Sequence, residues 1–243
     1  MNIIKLNAID STNDYLKNLL LKNPLDNYTI VTADFQNRGK GQMGSHWKSE
    51  ASKNLICSIY INNSNVKLSN QFAINMVVCL AIKKSLNKFN IPQLSVKWPN
   101  DIMSGSLKLC GILIENIVKN KSIQDIIIGI GVNINQMKFN DLPNATSVKQ
   151  ITGKYYNTDE ILSEIVNDIK IYFNFLKEES LVELQKLYES NLYRLNKVST
   201  FKLPDSNLIS GYINGVNDDG RLKIILENDV EESYGIKEIS LVN

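Results

Sequence analysis

The 243-residue sequence contains a single histidine, His46. One imidazole cannot build a multi-histidine metal centre, and it argues against a histidine-dependent catalytic triad. Cysteine is scarce too: Cys57, Cys79 and Cys110 are scattered, odd in number and without metal-ligand spacing. They read as small, reduced hydrophobic residues of a cytosolic protein. No apolar run reaches the ~18 residues that a membrane span requires. The opening MNIIKLNAIDSTN lacks the apolar core of a signal peptide. Nor does charge of one sign dominate: 27 Lys and Arg face 25 Asp and Glu, for a net charge of +2. That balance is too near neutral to argue for a nucleic-acid partner. From Arg194 onward six basic residues meet eight acidic ones, so the end of the chain is no basic tail. Internal repeats and low-complexity segments are lacking as well.

What is there is ordinary for a globular chain, with 43% apolar and 21% charged residues. The length allows one large domain, or one domain plus a small appendage, and the text divides into residues 1–193 and 194–243. The first part mixes strands and helices. In SNQFAINMVVCLAIKKSLNKF, residues Phe72, Met76, Cys79, Ile82, Leu86 and Phe89 recur at spacings of three and four, which predicts an amphipathic helix. Ile161, Ile165, Ile169, Phe173 and Leu176 predict another, with Thr158 as its N-cap. Ser180 and Glu183 make a capping box for a third. Between them NLICSIYI, LSVKW, LKLCGILIEN and DIIIGIGVNIN read as strands. After about Val198 only short strands and turn residues follow, a small all-β module.

The stretch RGKGQMGSHW spaces Gly39, Gly41 and Gly44 as G-x-G-x-x-G. A dinucleotide fingerprint also needs a preceding strand, a following helix and an acid about 20 residues on. The strand is present in NYTIVTADFQ, but the helix has no apolar period, and no Asp or Glu occurs between Glu50 and Asp101. A P-loop fails too, because Ser45 and His46 follow where Lys and Ser or Thr are required.

Strand parity marks a second feature. In IIIGIGVNIN, Ile128, Ile130, Val132 and Ile134 share one face, while Gly129, Gly131, Asn133 and Asn135 share the other. Strand glycines weaken a sheet unless something must approach closely, so the stripped face reads as a pocket floor. In SVKWPNDIMSGSLKLCGILIEN the chain turns at Pro-Asn-Asp and again at Ser104-Gly105-Ser106, then returns as a strand. Regular alternation puts Lys108 on the face of Cys110, Ile112 and Ile114. There it is either a strand-end lysine snorkelling to water or a fixed cation awaiting an anion near Asn100 and Asp101.

Five blocks in order, STN at 11–13, QNRGKGQMGSHW at 36–47, KWPND at 97–101, KLCGILIE at 108–115 and IGIGVNIN at 128–135, resemble the biotin protein ligases. The resemblance implies an α+β fold: a mixed sheet flanked by helices, like the class II aminoacyl-tRNA synthetase core, with a small C-terminal all-β barrel. It implies a cytoplasmic enzyme that makes biotinyl-5'-AMP from biotin and MgATP and passes biotin to one lysine of a biotin carboxyl carrier domain. ATP and Mg2+ would be needed, with biotin as substrate and no dedicated metal site. Nucleic acid and membrane are not expected as partners, and a homodimer is left open. Because Ser11 comes so early, the short form without an N-terminal DNA-binding domain is the one resembled.

Residue by residue, the resemblance implies that Ser11, Thr12, Asn13 and Gln36 bind biotin's ureido ring or shape its pocket. Ser11 and Thr12 also read as an N-cap for NDYLKNLLLK. Gly111 and Gly129 would make room for the bicycle. The loop of Gly39, Lys40, Gly41 and Gln42 would offer backbone N–H groups and close over biotin and the adenylate. Asn100, Asp101 and Asn133 would face ATP and the acceptor lysine, with Asp101 orienting the amine. Trp47, either core or an adenine neighbour by its residue type, is assigned to ATP. Lys40 and Lys108 would supply charge, Lys108 being best placed between carboxylate and α-phosphate. The family loop often reads G-R-G-R-R-G, whereas here Lys40, Gln42 and Met43 replace the arginines. Two alternatives are a lipoate–protein ligase, whose Arg-rich and glycine-triplet blocks are absent, and a non-catalytic biotin-binding regulator.

Overall fold

The computed structural model describes residues 2–140, 142–178 and 180–242. Strand β1 (Ile3–Ile9) is followed by α1 (Thr12–Lys22) and β2 (Ile30–Gln36). A 3₁₀ turn (Gln42–Gly44) precedes β3 (Leu55–Lys67) and α2 (Gln71–Asn87). Then come β4 (Leu94–Lys97), β5 (Asp101–Ser104), β6 (Leu107–Lys119) and β7 (Ser122–Val132). Three helices follow, α3 (Val148–Thr152), α4 (Thr158–Glu178) and α5 (Leu181–Glu189). The C-terminal strands are β8 (Ser199–Lys202), β9 (Leu208–Val216), β10 (Leu222–Leu226), β11 (Glu231–Tyr234) and β12 (Ser240–Leu241).

Strands β1 to β7 form one sheet in the order β1-β2-β3-β7-β6-β5-β4. Its β1–β2 pair is parallel and the other pairs are antiparallel, so the sheet is mixed. Alternation gives each strand two faces. Ile30, Cys57, Ile59, Ile128 and Ile130 point into the main core beneath α2 and α4, whereas Val31, Tyr60 and Ile127 pack on Leu16 of α1. The five C-terminal strands form a separate antiparallel sheet, β11-β10-β9-β8-β12. The expected mixed sheet, flanking helices and all-β C-terminal unit are therefore all present. No helix among the described residues is long and apolar enough to cross a membrane.

Several local expectations need correction. Helix α2 is not a one-faced amphipathic helix: Ile74, Val77, Val78, Leu80 and Ala81 are buried beside Met76, Cys79, Ile82 and Leu86. It lies against the sheet on one side and against α4 and α5 on others, so most of its circumference meets protein. Asn157, not Thr158, caps α4, because its Oδ1 accepts from the Asp159 N–H at 2.9 Å. Ser180 caps α5 as expected, its Oγ accepting from the Glu183 N–H at 3.2 Å. Strands β5 and β11 and helix α3 were not foreseen; each has only four or five residues, too few to show a period. The cysteines are buried as expected, and burial pushes the Cys57 thiol up to about 12.

Candidate active site

The site lies on the α1 face of the large sheet, where β3, β7 and β6 run side by side. Gly131 pairs with Ile56 of β3 and with Gly111 of β6, and Gly129 pairs with Ser58 and Leu113. With no side chains at 111, 129 and 131, the sheet leaves a hollow there. Two groups lie in it. The Trp47 indole covers Gly131 so closely that a Cβ on that glycine would lie 2.4 Å from the ring. Asn13 covers Gly129, whose Cβ would meet Asn13 Oδ1 at 2.5 Å. Parity thus located a floor in the sequence, and the structure shows what stands on it.

Helix α1 delivers three polar groups to this floor. Ser11 caps the helix, its Oγ accepting from the Asp14 N–H at 3.3 Å. Ser11, Thr12 and Asn13 are all buried. Gln36 Oε1 accepts from Thr12 N at 2.8 Å and from Thr12 Oγ1 at 3.1 Å. Ser58 Oγ lies 2.7 Å from Thr12 Oγ1 and 2.5 Å from Asn13 Oδ1. Asn13 Nδ2 donates to Glu115 Oε2 at 2.7 Å, and Lys17 pairs with the same carboxylate. Ser58 and Glu115 escaped sequence reasoning: Ser58 belongs to no motif, and Glu115, the last residue of KLCGILIE, was given no role; only the parity of their strands could have pointed to them.

The glycine loop folds into a tight hairpin. Gly41 N donates to Ser45 O at 2.7 Å and Trp47 N to Gly39 O at 2.9 Å. Gly39 lies beneath the Trp47 carbonyl, where a Cβ would approach to 2.5 Å, and Gly44 takes a φ of +82° that favours glycine. Lys40 Nζ is bound to Asp14, 2.7 Å from Oδ1 and 2.6 Å from Oδ2.

Lys108 does not follow the alternation expected of it. The β5–β6 register slips between Ile102↔Cys110 and Met103↔Lys108, so β6 carries one extra residue, Leu109. This bulge rotates Lys108 out of the Cys110–Ile112 face and onto the Gly111 face, where its Cε lies 3.3 Å from the Gly111 Cβ position. Its Nζ sits 2.7 Å from Asp101 Oδ1 and 5.9 Å from the centre of the Trp47 ring. Both members of the ion pair are partly exposed. Asn100 is buried and donates from Nδ2 to the Ile112 carbonyl, which fixes the corner beside Asp101.

Two cavities meet at this pair. The first, about 290 Å³, is lined by Ser11, Thr12, Asn13, Gln36, Gly111 and Gly129. Lys40, Gly41, Gln42, Asn100, Asp101 and Lys108 line it too. The second, about 270 Å³, is lined by Lys97, Met103, Asn133 and Asn144. Trp47, Asp101, Lys108 and His46 border both. Gly39 lines neither; it supports the loop from behind. Burial pulls the Lys97 ammonium below its ordinary value, Asp101 opposing the shift and Lys108 adding to it. The Trp47 Nε1–H is buried without a hydrogen-bond partner among the described residues. Such a donor costs about 1–3 kcal/mol until an acceptor reaches it. No group of three or more His, Cys, Asp or Glu able to hold a metal ion occurs among the described residues.

Residues 6–133 match the sequence profile of the biotin/lipoate A/B protein ligase family. Over 217 residues the chain is 27% identical to the bifunctional ligase/repressor BirA of Bacillus subtilis, covering 87% of this chain and 64% of that protein. The chain thus spans slightly less than two thirds of that relative. It is 22% identical over 196 residues to the biotin–[acetyl-CoA-carboxylase] ligase of Mycobacterium tuberculosis, covering 79% of this chain and 71% of the relative. The solved structure of the Aquifex aeolicus biotin protein ligase in complex with biotin and ATP superposes with a TM-score of 0.81 at 27% identity, over 99% of this chain and 98% of that one. The matched stretch runs from within β1 to the end of β7 and carries four of the five motifs whole, with the fifth as far as Asn133. This chain belongs to the biotin/lipoate A/B protein ligase family.

Proposed function

We propose that the protein is a biotin–[acetyl-CoA-carboxylase] ligase, which joins biotin to AMP and then to one lysine of a biotin carboxyl carrier domain. The observation that carries this reading is the meeting of two cavities at the Lys108–Asp101 pair. A carboxylate is a poor electrophile. Attack of its oxygen on the α-phosphate of ATP expels pyrophosphate and leaves a mixed anhydride with a good leaving group. The reaction brings two anions together, so fixed cations and N–H donors must stand where they meet.

Biotin fits the first cavity, its ureido ring toward Ser11, Thr12, Asn13 and Gln36 and its carboxylate toward Lys108. ATP fits the second, beside Asn133, with Asn100 holding the corner and Lys97 and Lys108 facing its phosphates. Trp47 borders both cavities, and its free N–H awaits an acceptor from one of them. In the second step the acceptor amine attacks the acyl carbonyl and AMP leaves. Asp101 is placed to accept hydrogen bonds from that amine once ligand phosphate competes for Lys108. Asp101 is the one acid lining either cavity among the described residues. Mg2+ is therefore assigned to the nucleotide and not to a protein cage. Residues 1–193 form the substrate-binding unit in this reading and residues 194–243 the C-terminal unit, in a cytoplasmic enzyme.

Two findings support the reading: the likeness to a structure described with biotin and ATP, and to a relative named for its carboxylase acceptor. Exchange of labelled pyrophosphate into ATP tests it. Exchange should depend on biotin and not on lipoate, and a carrier domain should become labelled on its lysine. Lipoate-dependent exchange would instead make this a lipoate ligase, and no exchange with either acid would leave a binding protein.

A further inference from the structure

The glycine loop carries two long cations, and both are engaged on the α1 side. Arg38 lies 4.0 Å from Asp10, and Lys40 is bound to both oxygens of Asp14. A third cation reaches the loop from the far end of the chain. Lys237, in the turn between β11 and β12, donates from Nζ to the Met43 carbonyl at 2.6 Å. Met43 is at the tip of the hairpin with a φ of 52°, and its carbonyl accepts from Lys237. Ile236 and Lys237 line the first cavity beside the loop.

The turn that carries Lys237 is itself held firmly. Arg221 donates to Glu238 Oε2 at 2.6 Å and to the Ser233 carbonyl at 2.8 Å, and Gly235 N donates to Glu238 Oε2 at 2.7 Å. The N–H of Gly235 and the Arg221 guanidinium hold the Glu238 carboxyl below its ordinary value, so it stays charged. The C-terminal sheet is in turn fastened to the large one. Trp98 Nε1 donates to the Gly220 carbonyl at 2.9 Å, and Gly220 packs so tightly on Phe72 that a Cβ would lie 2.2 Å from the ring. The loop is therefore gripped at Lys40 by α1 and at Met43 by a turn anchored beside the Trp98–Asp101 corner.

We propose that Lys237 is a latch: a positioning residue by which the C-terminal sheet keeps the glycine loop closed over the acyl-adenylate. The proposal rests on the ligase reading above. An acyl-adenylate is lost by escape, or by water adding to its acyl carbonyl with departure of AMP. A closed loop opposes both until the acceptor amine arrives. Lys237 lies outside the stretch matched to the family, residues 6–133, and belongs to no motif of the site.

The experiment uses the full chain loaded with biotin and α-phosphate-labelled ATP, desalted and followed for release of labelled biotinyl-AMP. Lys237→Met should release it about tenfold faster, as expected for loss of a charge-assisted hydrogen bond, with an unchanged melting temperature. Lys237→Arg, which keeps a cationic donor, should stay within about threefold of the parent. Release from Lys237→Met within twofold of the parent would overturn the latch. A parent chain that forms no labelled complex would remove the ligase reading and the retention role with it. The contact itself is tested without ligand: amide exchange at Gly41 and Ser45 should quicken in Lys237→Met, and equal exchange would overturn the grip on the loop.

Discussion

Lys108 Nζ and Asp101 Oδ1 lie 2.7 Å apart on neighbouring strands whose register slips between them. The extra residue in β6 turns the lysine toward the cavities, and the carboxylate holds its ammonium there. If Lys108 stabilises the charge that develops at the α-phosphate, Lys108→Ala should slow biotin-dependent pyrophosphate exchange about 10²-fold or more. Near-normal exchange in a folded variant would return Lys108 to a strand-end role. Asp101→Asn should slow transfer to the carrier domain more than it slows exchange. Equal loss in both assays would mean that Asp101 serves only to hold Lys108.

The Trp47 ring and Gly131 form the second relationship to test. A methyl at 131 would lie 2.4 Å from Trp47 Cε2, so Gly131→Ala must push the indole off the floor. The displaced ring should raise the Michaelis constant for biotin or ATP about tenfold, within the range of about 1–3 kcal/mol typical of overpacking. The core behind, led by Ile130 and Val132, should keep most of its thermal stability. Tryptophan fluorescence would report the movement. A variant that unfolds but binds ligand normally would mean that the glycine serves packing alone.

Ser58 is fully buried and touches both Thr12 and Asn13. Ser58→Ala should leave Asn13 Oδ1 without its donor and loosen the biotin end of the first cavity. We expect the Michaelis constant for biotin to rise about tenfold while that for ATP holds, at a stability cost of about 1–3 kcal/mol. Steady-state kinetics with each substrate varied in turn decide it; an equal rise for both would show that the network supports the whole sheet face.

Acid should loosen the α2–α4 junction. Burial alone would raise the Asp168 carboxyl, but hydrogen bonds from Lys88 and Ser85, and the nearby Lys84, hold it below its ordinary value. Lys88 Nζ lies 2.7 Å from Oδ2 and Ser85 Oγ 2.8 Å. A carboxyl depressed in the folded state contributes stability that is fully present above its unfolded value, near 3.9, and is lost as pH falls through the folded one. Denaturant melts from pH 6 down should therefore show stability falling below about pH 4. Asp168→Asn should lower stability at neutral pH and flatten that acid limb; an unchanged limb would assign it to other carboxylates.

Much of this protein was legible in its sequence, because the signals were local and periodic. Alternation in IGIGVN located the stripped face, the spacing of isoleucines marked α4, and the glycines of 39–44 announced a tight loop. Five motifs in order then singled out the residues that line the cavities. The exceptions share a cause. Lys108 was assigned to the wrong face because alternation assumes regular pairing, and a bulge is a property of two strands together. Helix α2 looked amphipathic because periodicity reports one buried stripe, while α4 and α5 arrive from distant sequence to cover other sides. Ser58 carries no motif, and Lys97, though it opens KWPND, gave no local sign that it faces a cavity; both became visible only when their strands were paired. The contact from Lys237 to Met43 spans 194 positions, and no local pattern encodes it. Propensity, period and turn chemistry act within a few residues, so the sequence alone determined the elements and the motif-bearing site. Register, packing and long-range hydrogen bonds exist only between elements, and so the tertiary structure decided which way Lys108 points, what covers Gly131 and what holds the loop.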